Sequence, residues 1–235
     1  MNFLAILMIK IKTRFLSALQ ALGLMSKMSR KDFKAVISRY TSSGRTLDIG
    51  CGGSPYAEFF PERVALDIAK QPGVDIVADV HEMKTIRDGE FDNVLCTEAL
   101  EHFYNPFLAV AEIRRVLKPG GRLILSTRFI FPLHEVPHDY FRFTEYGLRR
   151  LLADFDILEL RPDGNTLETV ASLYQRIGYQ CETLWFKPFK LWWFLEAKVL
   201  QFFSFVLTRQ YGDIAHKTVV KDIMTTGYLL ICRKK

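Results

Sequence analysis

The sequence predicts an α/β protein with a mostly parallel β-sheet, helices on both faces and a C-terminal antiparallel strand. Between residues 45 and 160, short apolar runs alternate with helical or turn-forming segments, which is typical of a parallel sheet covered on both faces. A glycine-rich turn follows the first of these runs. After residue 161 this alternation of strand-like and helical segments ends, which predicts an aromatic helical insertion before the last strand.

The predicted strands are short, apolar and bounded by turn residues. They cover residues 45–49, 63–67, 74–78, 91–97, 122–126, 155–160 and 226–232. Helices are predicted over residues 106–117, where apolar side chains recur at helical spacing, and over 144–152. Because Pro and Gly do not continue a helix, the Lys-Pro-Gly-Gly segment at 118–121 ends the first of them.

Two connections between the early strands are unusually short. Only residues 68–73 separate the second strand from the third, whereas a parallel crossover normally needs about a dozen residues. Residues 53–63 are also few for a full helix. We therefore expect the usual helix after the second strand to be missing or reduced to a turn.

The composition of the sequence divides the chain into four segments. They are an N-terminal amphipathic helical region (1–43), the α/β core (44–160), the aromatic insertion (161–225) and the final strand with a basic tail (226–235). The first has apolar residues from Leu4 to Leu22 on one helical face, which either packs on the protein or lies on a membrane. Basic residues follow its apolar start, which disfavours a secretory signal.

The net charge of +6 is spread along the 235 residues. It fits a mildly basic soluble protein or one that meets nucleic acid, an anionic membrane or a phosphorylated substrate. The four cysteines form no C-x-x-C pair, which disfavours a disulfide framework or a zinc knuckle. Reduced thiols favour a cytoplasmic location.

The glycine-rich turn at residues 47–53 predicts a ligand site. Gly50 and Gly52 follow a buried strand, where missing side chains let a ligand approach the backbone. A dinucleotide fingerprint requires a third glycine at position 55, which is Pro55. This departure disfavours the hydride-transferring version of the fold.

Three acids stand at successive strand ends around this turn. Asp48 lies in the first strand, Asp67 ends the second and Asp79 follows the third. Ligands of parallel sheets bind beyond the carboxyl ends of the strands. Asp67 is suited to accept hydrogen bonds from two ribose hydroxyls, and Asp79 from an adenine amino group. Each acid alone is equally compatible with an ordinary strand-end cap, but three behind one glycine turn favour a ligand.

With these residues the sequence resembles the class I S-adenosylmethionine-dependent methyltransferases, particularly their type 11 small-molecule branch. The similar segments, in the order of the family's motifs, are residues 47–53, 65–67, 78–81, 91–102 and 117–123. The resemblance covers about residues 44–160 and implies a Rossmann-like fold with S-adenosylmethionine as cofactor. It implies that Gly50 and Gly52 approach the methionine end, whose ammonium Asp48 holds directly or through water.

The resemblance also implies roles for the rest of the cofactor site. Asp67 would bind the ribose hydroxyls, and Asp79 with the backbone of Val80 would hold the adenine. Thr97 and Glu98 would border the methyl group and the acceptor. The reaction would then be an in-line displacement, in which positioning supplies about 7–11 kcal/mol.

A competing motif lies at His134-Glu-Val-Pro-His138, which matches the H-E-x-x-H signature of zinc proteases. That chemistry needs both histidines on one helical face. Pro137 inside the motif costs a helix about 3 kcal/mol. We therefore expect no zinc-protease helix and no metal site.

The same loop faces the substrate in the family that the sequence resembles. His138 or His134 is a candidate general base, because histidine titrates near neutral pH. Tyr140 and Arg142 are candidate substrate-binding residues, and a guanidinium suits phosphate or carboxylate. The alternative is that the aromatic residues of the loop have only a structural role and pack the loop against the rest of the domain.

The aromatic segment at 184–207 contains Trp192 and Trp193 and is interrupted by charged residues, including Lys187 and Lys198. It is therefore a poor membrane span and suits a membrane interface better. It is a lid over a lipid-like substrate, a peripheral membrane contact, or a packed subdomain or homodimer interface.

The sequence thus predicts a cytoplasmic methyltransferase, peripheral on a membrane in one interpretation, with a small-molecule or lipid-like acceptor. Methylation of RNA or protein is an alternative, although the sparse basic residues of the aromatic segment make a nucleic-acid partner unexpected. A noncatalytic binding protein that retains the fold is the third interpretation.

Overall fold

The computed structural model describes residues 28–52, 55–181, 188–220 and 222–235, with single positions between 17 and 26. The chain divides into two compact units. The sheet unit comprises residues 30–163 and 225–235, and the helical unit comprises residues 1–29 and 164–224. The predicted N-terminal amphipathic helix lies almost wholly outside the described residues.

The described residues form nine strands. They are β1 (Thr46–Ile49), β2 (Arg63–Asp67), β3 (Ile76–Val77), β4 (Phe91–Thr97), β5 (Leu117–Arg128), β6 (Phe155–Pro162), β7 (Gln210–Asp213), β8 (Thr218–Val220) and β9 (Gly227–Lys234). Seven of them make one sheet in the order β3-β2-β1-β4-β5-β9-β6. β9 runs antiparallel to both β5 and β6, and the other pairs are parallel. The predicted fold class is confirmed.

The α-helices with described bounds are α1 (Phe33–Ile37), α2 (Pro106–Val116), α3 (Glu145–Leu151), α4 (Thr166–Gln180) and α5 (Pro188–Phe202). Three of them, α2, α3 and α4, begin at a residue whose side chain caps the helix. At α2 the side chain of Asn105 accepts a hydrogen bond from the Leu108 amide, and Pro106 occupies the first turn. At α3 the Thr144 hydroxyl accepts one from the Gly147 amide.

The central strands are buried on both faces because apolar residues on each face meet a separate helical layer. All four residues of β1 are buried. Leu95 of β4 and Ile124 of β5 pack in one cluster with Phe33 and Ile37 of α1. Their neighbours Val94, Leu123 and Leu125 pack in another cluster, with side chains of α2 and α3. Successive side chains of a strand point to opposite faces of the sheet, so neighbouring residues join different clusters.

The short connections behave as the sequence predicts. Residues 68–75, between β2 and β3, contain no helix. In the segment before β2, the described residues hold the 3₁₀ turn Ala57–Phe59 and no α-helix. β3 is shorter than the predicted 74–78. β5 is longer than the predicted 122–126, because it begins directly after α2 and includes the glycine-containing segment 118–121.

The helical unit is built on α4 and α5. The capping box of Asn165 and Glu168 starts α4. A Cβ atom added to Gly178 would lie 2.9 Å from the ring of Phe194, which is buried, so this glycine permits the close approach of the two helices. β7 and β8 form a separate hairpin. Residues 184–187 of the aromatic segment lie outside the described residues. Among the described helices, none has the length and apolar character needed to cross a membrane.

The close approach of β9 to β5 at Gly227 yields a stability prediction. A Cβ atom at Gly227 would overlap the carbonyl oxygen of Thr127. Because that oxygen belongs to the backbone, we expect Gly227→Ala to lower the free energy of unfolding by about 1–3 kcal/mol. Chemical denaturation followed by circular dichroism measures this change.

Gly147→Ala is the matched control for this substitution. Its Cβ would lie 3.5 Å from the Thr144 hydroxyl, an ordinary contact, and alanine favours a helix over glycine by about 0.5–1 kcal/mol. The control should leave the protein as stable or more stable. Equal effects of the two substitutions would contradict the close packing of β9 on β5.

Candidate active site

The glycine turn lies at the carboxyl end of β1. Gly50 has φ of +67° and a Cβ there would come within 2.9 Å of the Ala99 side chain, so both its conformation and its contact require glycine. Its amide donates to the Leu66 carbonyl at 3.0 Å, which ties the turn to β2. At Gly52 no described atom lies within 4 Å of an added Cβ. Open space therefore borders the backbone there.

Asp48 is held by an ion pair that the sequence interpretation did not include. Its side chain is buried, and Arg63 of β2 donates to it at 2.9 Å. β1 and β2 pair in parallel, and Asp48 is opposite Ala65. Arg63 lies two residues before Ala65 on the same face of the sheet, so its long side chain can reach Asp48 diagonally. The arginine compensates the buried carboxylate beside the glycine turn. Its role in holding the cofactor's ammonium stays a prediction.

Asp67 ends β2 and organises the loop that follows. One carboxylate oxygen accepts from the Ala69 amide at 3.0 Å, and the other accepts from the Gln71 side chain at 3.0 Å. Both contacts are exposed to solvent. A ligand hydroxyl can replace the amide of Gln71 at little cost, since an exposed hydrogen bond contributes little net free energy.

Asp79 lies one strand further along the same edge. It accepts hydrogen bonds from the backbone and ring nitrogens of His81, at 2.9 and 2.5 Å. Burial raises the pKa of Asp79, but these hydrogen bonds bring it below its ordinary value. The other ring nitrogen of His81 accepts from the Asn105 amide at 3.3 Å, and the ring stacks on Tyr104 at 3.7 Å. His81 thus orients Asp79. Val80, beside it, is buried.

Thr97 and Glu98 end β4. Glu98 adopts φ of +58°, which is uncommon for a residue with a side chain and costs on the order of 1 kcal/mol. Its amide donates to the Ser126 carbonyl, and its carboxylate accepts from the Ser126 hydroxyl, each at 2.9 Å. The buried guanidinium of Arg128 forms an ion pair with the carboxylate. Burial raises the pKa of Glu98. This network supports the strained turn at the end of β4.

The loop after β5 is organised by Arg142 and Asp139. Arg142 donates to both carboxylate oxygens of Asp139 at 2.6 Å, and to the carbonyls of Phe131, Pro132 and Phe141. The hydrogen bonds to Arg142 hold the pKa of Asp139 well below its usual range. This pair fixes the shape of the loop. Arg142 as a substrate ligand stays a prediction, and so does Tyr140.

The two histidines offered as general bases have different surroundings. Residues 134–138 form no helix, in agreement with the expectation that Pro137 prevents a zinc-protease motif. The ring of His138 lies 3.1 Å from the Tyr140 hydroxyl in an exposed position. His134 lies between two carboxylates, 3.7 Å from Glu101 and 3.3 Å from Asp139. Sequence reasoning missed Glu101, although it lies in the segment 91–102 used for the resemblance.

The sheet order, the glycine turn and the acids at adjacent strand ends together define the class I methyltransferase fold. A model of the methyltransferase domain family matches residues 47–125. The match contains most of β1 and of β5, and it includes the candidate cofactor residues from Asp48 to Glu98.

Curated relatives and solved structures agree with this class. The ubiquinone biosynthesis O-methyltransferase of Dechloromonas aromatica is 36% identical over 101 residues, covering 35% of this chain and 44% of that protein. The enzyme of the same name from Alkalilimnicola ehrlichii is 30% identical over 153 residues, or 57% of each. The chain thus spans about half the length of the curated relatives it matches.

At the level of fold, the chain is similar to a protein described as a methyltransferase from Bacillus halodurans C-125. The TM-score is 0.51 at 19% identity, covering 85% of this chain and 97% of that one. The cyclase SpnF has the same TM-score at 18% identity, covering 86% and 79%. The resemblance drawn from the sequence is confirmed over residues 47–125, which match the methyltransferase domain family. The cofactor of such methyltransferases is S-adenosylmethionine.

The Arg142–Asp139 pair yields a prediction about the loop. Arg142→Lys keeps the charge but loses the planar fork that spans both carboxylate oxygens. We expect hydrogen exchange of residues 131–143 to become faster by at least about tenfold, since the lost hydrogen bonds to a charged group contribute about 1.5–3 kcal/mol.

Arg149→Lys is the matched control, because Arg149 contacts Glu145 on the exposed face of α3. Hydrogen exchange measured by mass spectrometry should be unchanged in this variant. If Arg142→Lys also left the loop's exchange unchanged, the guanidinium would not be what holds the loop.

Proposed function

We propose that this chain is an S-adenosylmethionine-dependent methyltransferase that transfers a methyl group to a small-molecule acceptor. The observation that carries the proposal is the convergence of Gly50, Asp67 and Asp79 at the carboxyl ends of β1, β2 and β3. Those strands are adjacent and parallel, so the three residues border one ligand along its length.

The residues at this edge fit the cofactor. Open space beside Gly52 accommodates the methionine end, and the half-exposed Asp67 is accessible to ribose hydroxyls. The bound cofactor supplies an activated methyl group. The protein's part is alignment: the ion-paired Asp48 orients the ammonium, Asp67 the ribose and Asp79 the adenine. Such positioning supplies about 7–11 kcal/mol of the barrier reduction.

The acceptor lies, in this proposal, between the end of β4 and the loop after β5. Thr97 and Glu98 border it on one side, and Tyr140 and Arg142 on the other. An acceptor hydroxyl must lose a proton, and a base that takes it contributes about 10²–10⁴-fold. His138 or His134 takes this role if a side chain does.

We further propose a lipid-like acceptor presented at a membrane surface. The relatives named for ubiquinone biosynthesis support this acceptor class. In the helical unit, Phe202 and Phe205 are 70% and 71% exposed, and such aromatic clusters suit a membrane interface. The protein is then cytoplasmic and peripheral. A homodimer that covers the same aromatic side chains is the competing explanation.

A second candidate is a protein that uses the fold without transferring methyl groups. It is favoured by the fold-level similarity to SpnF, whose name describes a cyclase. One fold supports different chemistries, so binding of the cofactor and turnover need separate measurements.

Cofactor binding is tested by calorimetric titration of S-adenosylmethionine into wild type and Asp67→Asn. The amide retains an acceptor for the Ala69 backbone but loses the charge. We expect affinity to fall about 10- to 100-fold, because hydrogen bonds to charged groups contribute about 1.5–3 kcal/mol.

Asp156→Asn serves as control, because Asp156 lies in β6 at the other edge of the sheet and pairs with Arg233. Its affinity should equal that of wild type. If folded wild type bound no S-adenosylmethionine, the methyltransferase proposal would be wrong. Binding without turnover on any phenolic or lipid acceptor would favour the second candidate.

Membrane association is tested by cosedimentation with vesicles of phosphatidylglycerol and phosphatidylcholine. We expect the double substitution Phe202→Ser and Phe205→Ser to reduce the vesicle-bound fraction at least tenfold, since burying one phenylalanine contributes about 1.5–3 kcal/mol. Phe107→Ser removes an aromatic ring that is 63% exposed in the sheet unit and should bind like wild type. A dimer in light scattering that the double substitution dissociates would instead assign these side chains to an interface.

A further inference from the structure

Three side chains at the carboxyl edge of the sheet unit converge in a way that the sequence did not predict. Glu101 and His102 belong to the 3₁₀ turn Leu100–His102, which follows β4. His134 lies in the loop after β5, the neighbouring parallel strand. One possible ligand atom from each lies within 4.8 Å of the others.

The carboxylate of Glu101 is the group in this cluster that most clearly lacks a binding partner. Its side chain is fully buried, at 0% exposure. One carboxylate oxygen, Oε2, accepts from the Thr127 hydroxyl at 2.8 Å. The other, Oε1, has no hydrogen-bond partner and faces Nε2 of His134 at 3.7 Å, beyond hydrogen-bonding distance. A buried carboxylate oxygen left in this state is costly.

Both histidines are held so that one nitrogen points into the cluster. Nδ1 of His102 lies 2.7 Å from the carbonyl oxygen of His138. Its Nε2 lies 3.8 Å from the exposed carboxylate of Glu135, which is beyond hydrogen-bonding distance, so this nitrogen can bind an ion. Nδ1 of His134 lies 3.3 Å from the Asp139 carboxylate without forming a hydrogen bond, and Nε2 faces Glu101. Metal-binding histidines typically direct their second ring nitrogen to a carbonyl or a carboxylate in this way.

We propose that Glu101, His102 and His134 form a binding site for one divalent transition-metal ion of the zinc type. Two imidazoles and a carboxylate are a ligand set that such ions prefer. Ligands at about 2.1 Å from a tetrahedral ion lie about 3.4 Å apart, close to the 3.7 Å between Glu101 and His134. The ligand atoms of all three residues lie within 4.8 Å of one another, so His102 must move closer to complete the triad.

The surroundings favour this set over other groupings of the same loop. Glu98, one turn earlier, forms an ion pair with Arg128. Asp139 is paired with Arg142 and acts through His134 rather than as a ligand. His138 turns its ring to the Tyr140 hydroxyl. The H-E-x-x-H pair of the sequence is thus separated, and only its first histidine joins the cluster.

The proposed ion has a chemical consequence for the acceptor. Three protein ligands leave an open position for water or an oxygen of the acceptor, whose proton is then more easily lost. This consequence, which rests on the proposed function, makes His134 a ligand instead of a general base. Metal binding itself does not depend on methyl transfer.

The site is tested by metal titration of the full chain after removal of bound metal with a chelator, without cofactor or acceptor. Cobalt(II) serves as a spectroscopic probe, and Zn²⁺ affinity is measured by competition with a chromophoric chelator. We expect one ion per chain and the intense visible bands of a low-coordinate cobalt site. Cobalt bands that match those of the aqueous ion would overturn the proposal.

Ligand variants locate the ion. His102→Gln, His134→Gln and Glu101→Gln should each lower Zn²⁺ affinity more than about 100-fold, because loss of an outer partner alone costs 10–100-fold. His138→Gln, in the same loop, is the matched control and should bind like wild type. Circular dichroism of the metal-free variants verifies folding, and His102→Gln alters a side chain that is not fully buried.

Two further outcomes would contradict the assignment. Equal affinities across all four variants would place any bound zinc elsewhere in the chain. Loss of binding in His138→Gln together with the others would implicate the whole loop rather than the triad. Calorimetry with S-adenosylmethionine on the same metal-free protein keeps the two proposals separate, since either ligand can bind when the other does not.

Discussion

The fully buried strand β1, paired in parallel with β2 on one side and β4 on the other, is the constraint on which the candidate site depends. Its four residues are all buried, so its register is set by packing on both faces. Parallel pairing brings the carboxyl ends of all three strands to one edge. The glycine turn, Asp67 and Glu98 meet there because the strands end together.

Around this edge, charged side chains are stabilised by partners from neighbouring strands. Arg63 pairs with Asp48, and Arg128 pairs with Glu98. Each buried charge is compensated, as burial of an isolated ion is prohibitively costly. Glu101 differs from Glu98, because its carboxylate oxygen without a hydrogen-bond partner lies 3.7 Å from the imidazole of His134 instead of against a guanidinium. The same edge thus carries the candidate cofactor residues and, across β4 and β5, a side with an unsatisfied carboxylate.

Much of the fold follows from local patterns. The observed bounds agree with the predicted ones within one or two residues for β1, β2, β4 and α2. The reason is that apolar alternation, helix caps and glycine turns depend on residues that are close in sequence. The lengths of β3 and β5 differ from the predicted ones, since the length of a strand depends on the neighbouring strand with which it pairs. The acids of the candidate cofactor edge were recognisable because Asp48 lies in the strand before the glycine turn, Asp67 ends a strand and Asp79 follows one closely. Arg63 and Glu101 were not, because their contacts join residues from different strands or loops.

The sequence by itself determined the class of fold and the cofactor, through a glycine at the end of β1 and carboxylates at successive strand ends. It also excluded a helical zinc-protease motif through Pro137. Only the tertiary structure decided which charges are paired and which histidine faces a buried carboxylate. The reason is physical: strand order and loop closure bring Glu101 and His134 together across 33 positions of the chain, and no local pattern encodes that distance.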